Sequence, residues 1–270
     1  MAVPTVKLSQ GIHVMHLFYR IDRALWAGLP EGTSLTARTR LESLCGANSS
    51  ASSPRLCTYT NIGGKADLVF FILAPELQQL GQIHRSIEAC FPPGALQPVF
   101  SYLSVTELTD YMPNEEDNLR ALANENLEPG SEAHTKRLEE MRKRMNEYSR
   151  YRLYPELPDW EIMCFYPMNK KRNLGDNWYL LDFETRKRMM GGHAKTGRKF
   201  AGRVSQLITG STGLDDWEWG VTLVAHQTDA IKEIVYEMRF DEVTARFGEF
   251  GEFYINLRLS PADLWPHLHL

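Results

Sequence analysis

The stretch RVSQLITGSTGLDDWEWGVTLVAH, residues 203–226, decides the fold. RVSQLITG is a short strand with β-branched residues, GSTGLDD is turn chemistry, and DWEWGVTLVAH resumes as a strand, which makes a hairpin. Upstream, Asp182 is placed to cap a helix that begins near Glu184 and runs to about Phe200, with Gly191 and Gly192 weighing against it. Before that helix the apolar run WEIMCFYPM (160–168) reads as a strand, followed by a polar loop, NKKRNLGDN. Downstream, Thr228 caps DAIKEIVYEMRFDEVTARFG, where Ile231, Ile234, Val235 and Met238 recur at helical spacing. EFYINLRLS (252–260) closes as a strand. The order is β-α-β-β-α-β, the ferredoxin-like arrangement.

The N-terminal half repeats that order more faintly. GIHVMHLFYRI is a strand, and TSLTARTRLESLCG is a helix with Leu35, Leu41 and Leu44 apolar. RLCTYT and ADLVFFILA flank the turn NIGGK, PELQQLGQIHRSIEAC is a helix opened by Pro75, and PVFSYLSVTEL is a strand. The expectation is an α+β chain: two tandem ferredoxin-like (β-α-β-β-α-β) units forming a dimeric α+β barrel-like subunit. The N-terminal unit covers 1–111, an acidic linker with an amphipathic helix covers 112–158, and the C-terminal unit covers 159–270. The polar stretch at 112–133, rich in turn formers, reads as linker or excursion rather than core. The helix after it sets Leu138, Met141, Met145 and Tyr148 against dense charge.

With 270 residues, 43% hydrophobic and 24% charged, the chain is long enough for a sizeable core. No apolar run reaches the ~18 residues of a membrane span, and the N-terminal stretch does not have the makings of a secretion signal. Cys45, Cys57, Cys90 and Cys164 are far apart and form no CxxC pair, which argues against a zinc cluster and for a reducing cytoplasm. A net charge of −4 excludes a generic nucleic-acid binder, so any anion-binding surface is local.

Two places could carry chemistry. His193 lies in MMGGHAKTGRKF, where small neighbours let a flat macrocycle approach, and haem iron needs only one protein ligand. The competing reading is an ordinary surface histidine. Gln206, thirteen residues on, faces about 140° away on one continuous helix, so both address one ligand only if the chain turns back between them. Tyr166 and Lys170 share a face if 160–170 stays extended, ~13 Å apart. A phenol and an ammonium at that span suit a carboxylated tetrapyrrole; a core tyrosine before a solvated basic turn is the competing reading. Histidines 13 and 16 would face opposite sides of a strand, and no paired metal spacing appears.

FYPMNKKR (165–172), MMGGHAKTGRKFAGRVSQLITGSTGLDDWEWGVTL (189–223) and YEMRFDEVTARFGEFGEFY (236–254) resemble the chlorite-dismutase-like superfamily. More narrowly they are similar to its coproheme decarboxylases, the peroxide-dependent haem synthases. The resemblance runs from about 148 to 259 and is fainter in KADLVFFILAPEL and FSYLSVTELTDYM. It implies a cytoplasmic homo-pentamer with haem in the C-terminal unit. It also implies a reaction: hydrogen peroxide drives loss of two propionate carboxyls from iron-coproporphyrin III (coproheme), giving the vinyls of haem b. A transient contact with the iron-inserting chelatase is implied as well.

By the same resemblance His193 is the proximal iron ligand, Tyr166 the redox-active tyrosine and Lys170 the cation at the second reacting propionate. Pro167, Met168 and Asn169 between them contact substrate. Arg152 grips a propionate, with Arg150 as its competitor; Gln206 lies in the distal pocket, Thr244 donates to a propionate and Tyr111 is a further contact. An amide at 206, where chlorite dismutases place arginine, favours decarboxylation over chlorite chemistry. A haem carrier or sensor, or a chlorite dismutase-like peroxidase, are the alternatives on the same fold. Trp217 and Trp219 share a strand face and either line the pocket or fill the core.

Overall fold

The computed structural model describes residues 5–50, 53–125 and 127–270; the first four residues of the N-terminal stretch lie outside them. In chain order the elements are β1 (His13–Ile21), α1 (Arg23–Ala27), α2 (Glu31–Ala47), β2 (Arg55–Asn61), β3 (Leu68–Ala74), α3 (Leu77–Cys90) and β4 (Leu96–Thr106). Then come α4 (Glu115–Asn124), α5 (Glu132–Leu153), β5 (Ile162–Lys170), β6 (Arg172–Asn173), β7 (Asp176–Asn177) and α6 (Phe183–Arg198). The last are β8 (Val204–Gly210), β9 (Trp219–Ala225), α7 (Thr228–Met238), α8 (Glu242–Phe247), β10 (Gly248–Phe250), β11 (Tyr254–Arg258) and α9 (Pro261–Leu268).

Each half forms an antiparallel sheet in the ferredoxin-like order: β4-β1-β3-β2 in the first, β11-β5-β9-β8 in the second. Two seams join them. β11 pairs with β2 through Asn256–Arg258, and β4 pairs with β8 at Val105 and Thr106. The eight strands close into one barrel, the expected arrangement, and closure leaves few edges for unwanted pairing.

Side-chain alternation sorts the residues into layers. All eight barrel strands send aromatic and aliphatic groups inward, among them Phe18, Tyr59, Phe71, Tyr102, Phe165, Leu207, Val224 and Tyr254. The outer face of the N-terminal sheet is covered by α2, α3 and α9. The outer face of the C-terminal sheet carries Cys164, Tyr166, Val221 and Leu223 beneath Phe200, Ile231 and Ile234.

Several sequence expectations need correction. Leu35 points to solvent, while Leu41 is fully buried. The stretch at 112–133 holds a real helix: Asn114 and Asp117 form a reciprocal capping box, and Leu122 is fully buried. The helix after Thr228 breaks in two, because Asp241 caps a new one; Gln227, not Thr228, occupies the first N-cap. Gly191 and Gly192 leave α6 unbroken. Tyr148, placed on the apolar face of α5, is exposed. Helices α1 and α9, absent from the sequence reading, pack Trp26 on Trp265 with ring centroids 5.5 Å apart. Trp217 and Trp219 do not share a strand face: β9 starts at Trp219, and Trp217 packs against the barrel's inner cluster. None of the described helices is long and apolar enough to cross a membrane.

Candidate functional site

Strand β5 remains extended through Lys170, because β11 pairs with its first half and β10 with Met168–Lys170. Residues 164, 166, 168 and 170 therefore face outward together. Tyr166 is buried against Phe253 (centroids 4.3 Å, stacked) and Phe250 (5.8 Å, edge-on). Burial, with a smaller push from Cys164 and an opposing pull from Arg239, raises its phenol well above the ordinary tyrosine range.

Lys170 is buried with its ammonium 5.0 Å from the Trp178 ring centroid. Burial lowers its pKa to about 8, and the carboxylates of Asp241 and Glu218 oppose that fall. Its backbone N–H donates to Glu218 Oε2 at 2.9 Å. Pro167 is buried, and its carbonyl accepts from Gly251 N at 2.9 Å. Met168 pairs across the sheet with Trp219, and Asn169 Oδ1 accepts from Glu218 N at 2.8 Å.

On α6, His193 stands opposite the break between α7 and α8. Asp241 caps α8 with Oδ1, which accepts from Thr244 N at 2.8 Å; Oδ2 lies 2.8 Å from His193 Nδ1. Thr244 Oγ1 is 3.4 Å from the same nitrogen. Burial pushes the Asp241 carboxyl up, but its bonds to His193 and Thr244 outweigh this and hold it below the usual range. With Nδ1 engaged, Nε2 is left as the nitrogen for a metal, and a carboxylate behind a histidine fixes ring orientation and raises basicity. Among the described residues no three His, Cys, Asp or Glu side chains converge, so a metal at His193 would take its remaining donors from a non-protein group.

The chain does turn back after α6. Gln206, on the outward side of β8, donates from Nε2 to the Gly197 carbonyl at 3.2 Å, one helical turn beyond His193. Gly197 permits the approach: a Cβ there would lie 3.1 Å from Met238 Cε and 3.4 Å from Gln206 Oε1.

At the other end of the outward face Arg152, in the last turn of α5, donates to the Glu107 carbonyl at 3.3 Å, and its buried Nε has no protein partner. Arg150 lies exposed. Burial raises the Glu107 carboxyl, with Trp219 and Arg152 opposing. Tyr111 stacks on Phe183 (5.8 Å) and meets Trp178 edge-on (6.5 Å), so it is joined to Lys170 through Trp178. The structure thus brings His193 and Thr244 together, and sets Tyr166, Lys170 and Gln206 on one outer sheet face.

A family model described as chlorite dismutase matches residues 36–259. The chain belongs to the chlorite dismutase family. A solved structure, that of a heme-binding protein from Thermus thermophilus, is 36% identical over 99% of this chain and 98% of its own, with a TM-score of 0.79. A double variant of the chlorite dismutase from Candidatus Nitrospira defluvii is 16% identical over 97% of this chain and 98% of its own (TM-score 0.71). The same dismutase bound to imidazole is 15% identical, covers 97% of both chains and has a TM-score of 0.70. At that identity the dismutases show a shared fold.

Sequence reasoning missed Asp241, Glu218, Trp178 and Glu107. Asp241 had a signal, since an aspartate followed by Glu242 and Thr244 is helix-start chemistry. Glu218 had none, because its partners come from a loop that returns to it only in three dimensions.

Proposed function

We propose that this family member is a coproheme decarboxylase: it converts two propionates of iron-coproporphyrin III to vinyls with hydrogen peroxide, giving haem b. The observation that carries the reading is the shared outward face of Tyr166 and Lys170, in a C-terminal sheet whose covering helix presents His193 with Nδ1 already held by Asp241. The donor set fits a carboxylated iron porphyrin. One imidazole is backed by a carboxylate, Arg152 has a buried N–H without a protein partner, and the Lys170 ammonium is largely removed from water. The 36% identical heme-binding relative supports the same class of ligand.

The bound iron porphyrin supplies the peroxide chemistry; the protein supplies the groups around its rim. Atoms balance when each propionate takes one hydrogen peroxide and one proton and leaves a vinyl, carbon dioxide and two waters. His193 Nε2 would hold the iron, with Asp241 fixing the ring. Tyr166, whose phenol keeps its proton at neutral pH, would give up and recover a hydrogen atom beside the reacting side chain. Lys170 and Arg152 would hold carboxylates, the guanidinium in a planar grip and the ammonium as a point charge. Gln206 and Thr244 contribute neutral hydrogen-bonding groups, and Tyr111 a phenol beside Trp178. Pro167, Met168 and Asn169 shape the strand between the tyrosine and the lysine. A cytoplasmic homo-pentamer that meets the iron-inserting chelatase belongs to the same proposal.

The test is to load the protein with iron-coproporphyrin III, titrate hydrogen peroxide and follow the tetrapyrrole by mass spectrometry. Loss of two carboxyl equivalents, abolished in Tyr166→Phe with binding retained, is the expected result. Binding without any mass change would mean a haem carrier on the same fold, the reading that the heme-binding relative favours. Rapid oxygen release from chlorite would mean a dismutase, against which the uncharged amide of Gln206 speaks.

A further inference from the structure

Glu218 does not belong to the set of residues that would meet the porphyrin, yet it is a buried and well-engaged carboxylate behind Lys170. It sits just ahead of β9 with its side chain only 7% exposed. Oε2 accepts the backbone N–H of Lys170 at 2.9 Å, and Oε1 pairs with Arg172 Nη2 at 3.2 Å. The same carboxylate adds to burial in pushing the Tyr179 phenol up, which sets the hydroxyl beside it. Its backbone N–H donates to Asn169 Oδ1 at 2.8 Å, and its carbonyl accepts from Ser211 N at 2.8 Å.

The partners of its carboxylate belong to one excursion of the chain. After Lys170 the backbone leaves the barrel as the ribbon of β6 and β7, whose tip Leu174 is fully exposed, and returns through the 3-10 turn Trp178–Leu180. Lys170 begins the excursion, Arg172 lies on its outward arm, and Trp178 and Tyr179 lie on its return. The Trp178 ring is what the Lys170 ammonium rests against. A carboxylate that grips the excursion at 170 and 172, with the Arg172 guanidinium over the Tyr179 ring at 5.7 Å, therefore fixes both the lysine and its aromatic platform. Such a buried acceptor is retained at a desolvation cost that only its multiple donors offset.

We propose that Glu218 is a positioning residue that sets where the Lys170 ammonium stands relative to a substrate carboxylate, and so confers preference for a tetrapyrrole with four carboxylates over one with two. The proposal rests on the role given to Lys170 above. A purely structural Glu218 would support the fold without touching that preference.

The experiment compares affinities for iron-coproporphyrin III and for haem b by absorbance titration, without peroxide. Both bring the same iron to His193, so their ratio reports only the exchange of two carboxylates for two vinyls, and its change on substitution reports what the residue does at that exchange. Lys170→Ala is expected to lower the ratio about tenfold, and Glu218→Gln about threefold or more. Glu218→Gln in the Lys170→Ala background should lower it no further, because the two act as a unit. Should Glu218→Gln fail to fold, Arg172→Ala and Tyr179→Phe, both at exposed side chains, loosen the same anchor and must lower the ratio in its place. If Lys170→Ala leaves the ratio unchanged, the role of Lys170 is wrong and the proposal falls with it. If Lys170→Ala lowers the ratio while the Glu218 variant, or the Arg172 and Tyr179 pair, leaves it unchanged, only the positioning role is overturned.

Discussion

At residue 193 the choice of ring nitrogen is made by a neighbour rather than by the histidine. Asp241 occupies Nδ1, caps α8 and lies within electrostatic reach of Lys170, so one carboxylate bears on ligand orientation, helix start and ammonium charge. Asp241→Ala is expected to weaken coproheme binding about 10- to 100-fold, the usual cost of losing a partner behind a metal ligand; absorbance titration measures it. Lys170 makes a separate prediction. Its amine titrates near pH 8 because burial disfavours the charged form, so the ammonium that attracts a carboxylate is present below that pH and lost above it. Coproheme association should weaken as pH rises from 7 to 9.5, and Lys170→Arg, which stays charged, should flatten the profile. Folding has the opposite sign: the unfolded amine holds its proton longer, so stability contributed by this group rises between about pH 8 and the ordinary lysine range.

At the scale of elements, α4 decides whether the chain between the two units is slack. Leu122 is fully buried, and Asp117 pairs with Lys187 of α6 at 2.8 Å. Leu122→Ala should cost about 2–5 kcal/mol in urea unfolding, whereas a slack linker would lose almost nothing. The strands and main helices were legible because their side chains alternate or recur at 3.6-residue spacing. That alternation also gave the shared face of Tyr166 and Lys170, whereas their role as a site came only from the resemblance. Less visible was whatever depended on one residue's conformation. The acidic, turn-rich composition of 112–133 hid a capping box, and an unbroken apolar stripe from Ile231 to Met238 hid the restart at Asp241. Trp217 and Trp219 are two apart in sequence, but the strand begins only at the second, so alternation does not relate them.

On the scale of the whole molecule, the barrel's interior contains a buried polar tie between its halves. His16 of β1 stacks on Phe165 (4.1 Å), and its Nε2 meets Thr222 Oγ1 of β9 at 2.9 Å, while Nδ1 has no protein partner. Burial lowers its pKa to about 3. The unfolded chain takes up a proton near pH 6.5 that the folded chain refuses until about pH 3. Stability from this group is therefore whole above pH 6.5 and falls by about 1.4 kcal/mol per pH unit below it. Denaturation midpoints between pH 7 and 4.5 should show that slope, reduced by one proton in His16→Phe.

The ring of strands also imposes an order on synthesis. β2 lies at residues 55–61, yet its outer neighbour is β11, the last of the described strands to be made, and β4 waits for β8. While the ribosome is still working, the N-terminal sheet has two uncovered flanks. The terminal helix that brings Trp265 onto Trp26 arrives later still. The first half can acquire its secondary structure early, but the nascent barrel cannot shut until Tyr254–Arg258 has been made. From the completion of β4 until β11 emerges, this chain is a pair of open edges that a chaperone would have reason to shield.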